Sequence, residues 1–403
     1  MPGPLPRLAQ RLGKFRCCPT RSGEPLTRRN ASKAMQHQYV DRQTGMVRTE
    51  RLYGDWLLNV LYVGAWERMP VLYRLLTSAR TSRLLGLANY DFLLGAKLLG
   101  NKRFLRACQI DLEECLERPE LLDTARKVFE RKIRYWKCRP LPNDPRLVVS
   151  PADARMLVGS FSATSSLFLK GKFFDYEELL DCNKHTWVNA FALGDFAIFR
   201  LTPDKYHYNH MPVAGMVLDF YEIPGGYQSC NPGLVAATVT PYSKNKRVVT
   251  ILDTDVPGGS QVGLVAMVEV VALMIGDIIQ CYSAERYDAP RPVSRGMFLQ
   301  KGFPKSLYRP GSSTTVLIFQ SGRVQFADDL VRNMHRPGVQ SRFSQGFGRP
   351  LVETEVTVRS SIARATPQRV LAQLKQRYTS IAIAMPRRLA ARLWKGGGTS
   401  YGK

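Results

Sequence analysis

The feature that most constrains the fold is a series of short runs of β-branched and aromatic residues in the middle of the chain. Each run is about the length of a strand, and Gly, Pro or Asn residues separate it from the next. Short strands broken by turns at this spacing predict a β-rich core of the sandwich or barrel kind. The predicted strands are 147–149, 197–201, 217–221, 235–239, 248–252 and 315–319, and the last of them closes the series.

A longer apolar run, from Val262 to Ile279, has the length of a membrane span. It contains Glu269 and Asp277, and it is rich in Val and Ile. Acidic residues disfavour a transmembrane helix, whereas β-branched residues favour buried strands. We therefore predict buried strand structure here and no transmembrane helix.

Residues 51–140 have a different pattern, with apolar residues at helical spacing and few Gly or Pro residues. A second helical pattern runs from Phe104 to Tyr135 and is interrupted at Pro119. The first part mixes Tyr and Trp with Arg, which suits either a helix at a membrane interface or a helical cap packed on the core. The predicted class is α+β: an N-terminal helical, membrane-associating region, a boundary at 139–146, and then the β-rich core.

The net charge of +25 is concentrated at the two ends of the chain. Residues 1–40 have eight Lys or Arg and one acid, and residues 356–403 have ten and no acid, so the ends supply +17. This implies an anionic partner, and acidic phospholipid fits better than nucleic acid because no nucleic-acid-binding motif accompanies the charge. The plainer alternative is that both ends are solvated tails. We predict a disordered basic segment over 1–50 and a basic tail over 366–403.

Eight cysteines are scattered without the spacing of a metal site or a disulfide framework. A reducing compartment fits this pattern best. The first 36 residues lack the apolar segment of a signal peptide. They are rich in Arg and poor in acids, which would suit a mitochondrial transit peptide in a eukaryote.

The segment Arg309-Pro310-Gly311-Ser312-Ser313-Thr314 runs directly into the strand predicted at 315–319. Such a cluster of small hydroxyl residues is most often an ordinary turn. A hydroxyl after glycine at the start of a strand can also reach the preceding carbonyl carbon, which is the geometry that an N-to-O acyl shift needs. The segment alone leaves both interpretations open.

Two further segments favour the acyl shift. Tyr206-His207-Tyr208-Asn209-His210-Met211-Pro212 holds two of the five histidines, and Ser150-Pro151-Ala152-Asp153 precedes it. With the Gly-Ser-Ser-Thr turn, they resemble the signatures of the phosphatidylserine decarboxylase family, namely Tyr-His-x-x-His-x-Pro, Ser-Pro-x-Asp and Leu-Gly-Ser-Thr. The resemblance covers about residues 145–325 in the family's order.

The chain departs from the family pattern in three places. Lys246 stands where the family usually has Glu. Residues 264–278 replace a Gly-rich segment of the family. The cleavage motif also carries one extra residue, which leaves its register open.

Two registers are compatible with the cleavage motif. Matching Ser313-Thr314 to the family's Ser-Thr leaves no gap before the strand, whereas matching Gly311-Ser312 makes the strand one residue too long. We therefore favour Ser313 as the precursor of the cofactor and keep Ser312 as the alternative, with Gly311 and Thr314 as the rest of the cleavage turn.

The resemblance implies a pyruvoyl-dependent carboxy-lyase that makes its cofactor from its own serine. His210 is implied as the base acting on Ser313, with Asp153 orienting its imidazolium, and cleavage gives a β chain ending at residue 312 and an α chain starting at residue 313. The pyruvoyl ketone then condenses with the substrate amine as a Schiff base and accepts the electrons released with carbon dioxide. His207 is implied to assist decarboxylation and proton transfer. No metal is expected, because the histidine pair lacks a third ligand nearby.

The implied activity is conversion of phosphatidylserine to phosphatidylethanolamine by a domain spanning 141–365. The alternatives are a pyruvoyl decarboxylase of a soluble amino acid and a binding protein with a decayed catalytic domain. The implied partners are phosphatidylserine, an anionic membrane, and the β and α chains of one proenzyme, without nucleic acid and with a homodimer left open. The implied location is the membrane periphery: the cytoplasmic face of the inner membrane in a bacterium, or the mitochondrial inner membrane in a eukaryote.

Overall fold

The structure is a computed structural model of the chain. It describes residues 36–50, 110–161, 175–227, 232, 241–272, 277–311, 313–347 and 350–367. The strand predicted at 235–239, the helical pattern of 51–109, Ser312 and almost all of the basic tail lie outside the described residues.

The described part of the chain contains sixteen strands, and five of the six predicted runs lie within them. The β-rich α+β class is confirmed, and the apolar run 262–279 contains two strands, as predicted. In chain order the strands are β1 Gln38–Asp41, β2 Val47–Thr49, β3 Leu147–Val149, β4 Ala154–Ser160, β5 Asp195–Leu201, β6 Tyr208–His210, β7 Gly215–Ile223, β8 Arg247–Asp253, β9 Leu264–Val271, β10 Ile278–Gln280, β11 Phe298–Leu299, β12 Pro304–Tyr308, β13 Ser313–Phe319, β14 Val324–Phe326, β15 Glu353–Val356 and β16 Ser361–Ala365.

Ten strands form one large sheet in the order β11-β7-β8-β9-β13-β5-β4-β15-β1-β2. β1 and β15 pair in parallel, and the other neighbours are antiparallel. The end strands β11 and β2 each have one neighbour among the described strands, so the sheet is open rather than a closed barrel. The central strands β9 and β13 are buried along almost their whole length. Strands covered on both faces lack polar alternation, which explains the continuous apolar runs of the sequence.

Two three-stranded sheets complete the described β structure, in the orders β10-β12-β6 and β14-β16-β3. The first holds β6 against β12, with Tyr208 opposite Leu307 and His210 opposite Pro304. The second joins β3 to β16, near the end of the described chain. Because β14, β15 and β16 follow β13, the prediction that β13 closes the series is wrong.

Helices are few and short in the part of the chain that the structure describes. They are α1 Ala125–Phe129, α2 Tyr135–Cys138, α3 Tyr176–Leu180, α4 His185–Ala190, α5 Pro241–Lys244, α6 Asp328–Met334 and α7 Arg342–Phe347, with a 3-10 turn at Pro119–Leu121. The N-cap of α3 is Asp175, whose side chain accepts hydrogen bonds from the N–H groups of Glu177 and Glu178. None of the described helices is long and apolar enough to span a membrane.

The long helix predicted over 104–135 is wrong for the described residues from Ile110 onward. Leu116 donates its N–H to the carbonyl oxygen of Lys132 at 2.9 Å, and Arg134 donates to that of Glu114 at 2.7 Å. The chain folds back at the 3-10 turn and pairs across the fold. These bonds use backbone groups that a helix would need for itself.

Residues 36–50 depart from the disordered segment predicted over 1–50. β1 and β2 form a hairpin, and β1 extends the large sheet beside β15. Arg200 Nη2 lies 2.6 Å from Glu50 Oε2 and 2.5 Å from Glu353 Oε2, and all three side chains are buried. A buried guanidinium between two carboxylates needs both partners, so these ion pairs hold the hairpin on the sheet.

Candidate active site

Ser150–Asp153 forms a tight turn between β3 and β4. Ser150 Oγ donates to the carbonyl oxygen of Ala152 at 2.7 Å. The buried carboxylate of Asp153 accepts two hydrogen bonds from the Arg139 guanidinium and a third from the N–H of Val358. Burial by itself would raise the pKa of Asp153, but the Arg139 charge and these hydrogen bonds hold it below its ordinary value. Asp153 is therefore an ionised carboxylate.

His210 lies at the end of β6 and is fully buried. Its backbone N–H donates to the carbonyl oxygen of Pro151 at 2.7 Å, which joins the histidine segment to the Asp153 turn. Ring Nδ1 lies 2.9 Å from the carbonyl oxygen of Gly302, and Nε2 lies 2.9 Å from the hydroxyl of Tyr206. Burial lowers the pKa of His210 to about 3, so the ring is neutral near neutral pH.

His207 differs from His210 because neither of its ring nitrogens has a hydrogen-bond partner among the described residues. Its fully buried ring is stacked on Phe129, with the ring centroids 3.4 Å apart. The backbone of Lys205 lies near the ring without completing a hydrogen bond of good geometry. Burial, followed by the charge of Arg131, lowers the pKa of His207 to about 3. The result is a neutral imidazole with two nitrogens available to a ligand.

The predicted cleavage turn leads directly into β13. Gly311 has a φ of +149°, a conformation that residues with a side chain rarely adopt. Ser313 is the first residue of β13 and pairs with β5 on one side and β9 on the other. The hydroxyls of Ser313 and Thr314 are buried and have no hydrogen-bond partner within the described residues.

Two residues, Tyr308 and Thr315, join the histidine segment to the cleavage strand. Tyr308 donates its N–H to the carbonyl oxygen of His207 at 3.1 Å and its hydroxyl to that of Thr314 at 2.9 Å. Thr315 Oγ1 donates to Asn209 Oδ1 at 2.9 Å. The three predicted segments therefore belong to one hydrogen-bonded unit, since the Asp153 turn is bonded to His210 as described above.

The direct hydrogen bonds of a Ser-His-Asp triad are not formed. Among the described residues, Asp153 has no hydrogen bond to His210, and His210 has none to Ser313. Burial lowers the pKa of both His207 and His210, and the Asp153 charge opposes that effect on each ring. The triad roles of Ser313, His210 and Asp153 stay predictions.

Four residues of this region were missed by the sequence reasoning: Arg139, Tyr206, Asn209 and Tyr308. Tyr206 and Asn209 lie inside the histidine segment, so that motif was the signal available for them. Arg139 opens the stretch predicted as a domain boundary. Tyr308 carries no sequence signal, because its contacts depend on the pairing of β12 with β6.

A cavity of about 500 Å³ lies beside the Asp153 turn. Its charged lining residues are Asp41, Arg42, Arg139, Asp153, Lys205 and Glu355. The cations among them are paired with acids, since Arg42 binds Asp329, Arg139 binds Asp153, and Lys205 binds Glu355. A lining with both signs of charge suits a zwitterionic group better than a simple anion.

One group of potential metal ligands occurs within the described ranges, and it consists of His37, Glu50 and Glu353. Arg200 binds both carboxylates, and Arg155 contacts Glu50. The guanidinium groups already compensate the acidic charges. These residues therefore form a structural ion-pair cluster rather than a metal site.

The region that holds the three segments matches a known family. The family model described as phosphatidylserine decarboxylase matches residues 125–349. A phosphatidylserine decarboxylase proenzyme of Fusobacterium nucleatum is 26% identical over 77% of this chain and 95% of its own length. Proteins of the same name from Saccharophagus degradans and Chlamydia trachomatis are 29% and 30% identical, over 64% and 78% of this chain and 91% and 96% of theirs. The chain belongs to the phosphatidylserine decarboxylase family.

Proposed function

We propose that this chain converts phosphatidylserine to phosphatidylethanolamine with a pyruvoyl group made from its own serine. Family membership supports the reaction, since the related phosphatidylserine decarboxylase proenzymes align over nearly their whole length. The observation that carries the proposal is a set of buried polar atoms without partners in the described residues. They are the hydroxyls of Ser313 and Thr314 and both ring nitrogens of His207.

These atoms fit a site for a pyruvoyl group and its substrate. Buried hydroxyls and imidazole nitrogens normally find hydrogen-bond partners, so further groups are needed to complete this region. A pyruvoyl group supplies an electrophilic carbonyl that withdraws electrons as carbon dioxide leaves. Tyr308 donates hydrogen bonds to the carbonyl oxygens of both His207 and Thr314, so it links the backbone of His207 to the start of the proposed α chain.

Self-cleavage needs a base for the serine hydroxyl. In the proposed reaction, serine Oγ adds to the preceding carbonyl carbon and the C–N bond breaks, which leaves an ester and an amine. Removal of the α-proton expels the β-chain carboxylate and leaves dehydroalanine, which water converts to the pyruvoyl group with release of ammonia. His210 is the proposed base, because burial keeps its ring neutral, and Asp153 favours the protonated ring through its charge.

Both serines of the cleavage turn are candidates for the pyruvoyl precursor. The register favours Ser313, whose buried hydroxyl has no partner among the described residues. The alternative Ser312 is favoured because pairing with β5 and β9 restrains the backbone of Ser313 on both sides, which hinders rearrangement at that residue. The φ of Gly311 also lets the chain turn sharply just before Ser312. We propose Ser313 as the precursor and Ser312 as the alternative.

His207 is the proposed group for the proton steps of decarboxylation. Its ring is held by stacking on Phe129, and its nitrogens make no hydrogen bond within the described ranges. Because burial lowers its pKa to about 3, the ring is neutral at neutral pH and can accept a proton. The protonated ring, being buried, returns that proton readily.

The cavity beside Asp153 is the proposed approach for the serine headgroup. That headgroup carries an ammonium, a carboxylate and a phosphate, and the cavity lining has both signs of charge. The basic ends of the chain would attract an anionic membrane by about 1 kcal/mol for each Lys or Arg near the surface. We propose peripheral attachment to the cytoplasmic face of the inner membrane in a bacterium, or to the mitochondrial inner membrane in a eukaryote.

Denaturing mass spectrometry of the purified protein tests self-processing. Two fragments are expected, and the smaller should begin at residue 313, or at 312 in the alternative register, with a pyruvoyl group in place of an amine. A single intact chain would contradict the proposal. The matched control is the Ser312→Ala/Ser313→Ala protein, which should give one chain.

Carbon dioxide release identifies the substrate. The processed protein is compared on vesicles that contain phosphatidylserine and on free amino acids, with the double-alanine protein as the blank. Release from the vesicles supports the lipid substrate. Release from free amino acids alone would exclude it.

A further inference from the structure

Two tyrosines, Tyr206 buried and Tyr287 partly buried, extend from the ring of His210 in a hydrogen-bonded row. The Tyr206 hydroxyl lies 2.9 Å from His210 Nε2 and 2.8 Å from the Tyr287 hydroxyl. The Tyr287 hydroxyl lies 2.9 Å from the carbonyl oxygen of Ile133 and accepts the N–H of the same residue at 3.1 Å. Tyr206 is 1% exposed and His210 is 0% exposed. The His210 end of the row is therefore shielded from water, and the other end binds backbone groups.

The partners of His210 determine which ring nitrogen carries the proton of the neutral ring. The carbonyl oxygen of Gly302 can only accept, so Nδ1 is the donor in that contact. The lone pair of the neutral ring is then on Nε2, and the hydroxyl of Tyr206 donates to it. Tyr287 can donate in turn to the oxygen of Tyr206.

The same row also accommodates a protonated ring. With a proton on Nε2, that nitrogen donates to the oxygen of Tyr206, Tyr206 donates to Tyr287, and Tyr287 donates to Ile133. Each hydroxyl only rotates, and every donor in the reversed row has an acceptor. No heavy atom has to move between the two protonation states.

We propose that Tyr206, supported by Tyr287, is a positioning residue that serves both protonation states of His210. Asp153 binds Arg139, so the Gly302 carbonyl oxygen and the Tyr206 hydroxyl, rather than a carboxylate, hold the two ring nitrogens of His210. The role of His210 in self-cleavage rests on the proposed function, whereas the hydrogen bond to Nε2 does not.

Other aromatic and charged side chains lie around His210, Tyr206 and Tyr287, and a substitution of Tyr206 that tests its hydrogen bond must leave them all in the protein. Tyr135 packs edge-on against the His210 ring at a centroid distance of 4.6 Å, and Tyr208 stacks on Tyr206 at 5.4 Å. Charged groups that act on His210 or lie near Tyr287 are Asp153, Arg139, Arg359 and Lys132. A Tyr206→Phe change leaves all of these side chains in the protein and removes one oxygen.

Tyr208→Phe is the matched control. Tyr208 is a neighbouring buried tyrosine that stacks on the ring of Tyr206, and no described residue hydrogen-bonds to its hydroxyl. Both substitutions remove a phenolic oxygen from the same aromatic cluster. Only Tyr206→Phe removes the partner of His210 Nε2. Tyr287→Phe is a milder test, because it keeps the hydrogen bond between Tyr206 and His210 Nε2 and removes only the one between Tyr287 and Tyr206.

The first measurement is the 15N spectrum of the histidine rings in the uncleaved Ser312→Ala/Ser313→Ala chain, with His210 assigned by its loss in His210→Gln. We expect a ring protonated on Nδ1, with Nε2 as a hydrogen-bonded acceptor. Tyr206→Phe should move the Nε2 resonance toward that of a free acceptor, and Tyr208→Phe should leave it in place. Protonation on Nε2 alone, or a resonance unmoved by Tyr206→Phe, would overturn the proposal whether or not the protein cleaves itself.

The second measurement is the unfolding equilibrium of the same uncleaved chain in urea. Tyr206→Phe leaves His210 Nε2 buried without its hydrogen-bond partner, so the unfolding equilibrium constant should rise about tenfold more than in Tyr208→Phe. Equal losses of stability in the two variants would reduce Tyr206 to a packing role and overturn the proposal.

Discussion

Asp153 and Arg139 form a two-pronged ion pair, with Arg139 Nε 3.1 Å from Oδ1 and Nη2 2.8 Å from Oδ2. The same guanidinium binds both carboxylate oxygens of Glu114, which lies in the segment that folds back at Pro119–Leu121. Burial opposes both charges, but their attraction holds the pKa of Asp153 below its ordinary value and that of Arg139 above it. The carboxylate of the turn that is bonded to His210 is thus held as an anion by a residue of the predicted domain boundary.

Replacing Arg139 by Leu should destabilise the fold, because Asp153 would be left buried without its cation. Breaking a buried pair costs about 3–5 kcal/mol of unfolding free energy. We expect the lower end of that range, since the N–H of Val358 still donates to the carboxylate. Urea unfolding of the uncleaved Ser312→Ala/Ser313→Ala chain measures the loss. Arg139→Lys is the control that keeps the charge and should lose less, and a loss under about 1 kcal/mol in Arg139→Leu would refute the ion-pair account.

The two buried histidines predict instability in mild acid. Burial lowers the pKa of His207 and of His210 from 6.5 to about 3, so between these values the unfolded chain binds protons that the folded chain does not. Stability is therefore lost as the pH falls through this window, by up to about 1.4 kcal/mol per pH unit for each histidine. Urea unfolding of the uncleaved chain between about pH 7 and 5 measures the slope.

Single substitutions show which histidine causes the pH dependence of the unfolding free energy. His207→Gln should remove the contribution of His207 to the slope and leave the contribution of His210. The control is His185→Gln at the start of α4, where the side chain is exposed, and it should leave the slope unchanged. A slope that His207→Gln does not alter would show that other groups cause the acid instability.

The two serine variants determine the cleavage register. We expect Ser313→Ala to remain one chain and Ser312→Ala to process, because the hydroxyl of residue 313 is the proposed nucleophile. Intact mass and sequencing of the α chain provide the measurement. Thr314→Ala is the control within the same turn and should slow processing without preventing it. Cleavage of Ser313→Ala would assign the pyruvoyl group to Ser312.

Lys305 and Glu269 form an ion pair at 2.5 Å with no exposed side-chain surface. Lys305→Met should cost about 3–5 kcal/mol of unfolding free energy, because it leaves the carboxylate buried and uncompensated. The control Lys244→Met removes the partner of Glu178 at an exposed site and should change stability by less than about 0.5 kcal/mol. Urea unfolding compares the two, and similar losses would contradict the role of burial.

The basic ends predict salt-sensitive binding to anionic vesicles. Replacing Arg387, Arg388 and Arg392 by Gln in the full chain should weaken binding by up to about 100-fold, at roughly 1 kcal/mol per charge. Sedimentation with phosphatidylserine vesicles over a salt series measures this effect, and neutral vesicles are the control. Salt screens exposed charges, so binding that salt does not weaken would rule out the electrostatic account.

The strands could be predicted best where burial leaves a local pattern. β5, β8 and β13 lie inside the large sheet and are apolar along most of their length. β1 and β2 could not be predicted, since β2 is fully exposed and the hairpin depends on the contact of Glu50 with the distant Arg200. The helical periodicity around Pro119 was also misleading, because pairing across the fold outweighs helix propensity there.

Residue order alone revealed the family, the β-rich class and the three segments around Asp153, His207 and Ser313, because each is a local pattern of residue types. The hydrogen-bond partners of the ionisable side chains in the site were decided instead by the tertiary packing. Asp153 binds Arg139, His210 binds Tyr206 and Gly302, and the ring nitrogens of His207 have no hydrogen-bond partner in the described residues. Hydrogen bonds need atoms within about 3 Å of each other, and only the folded chain brings such atoms together.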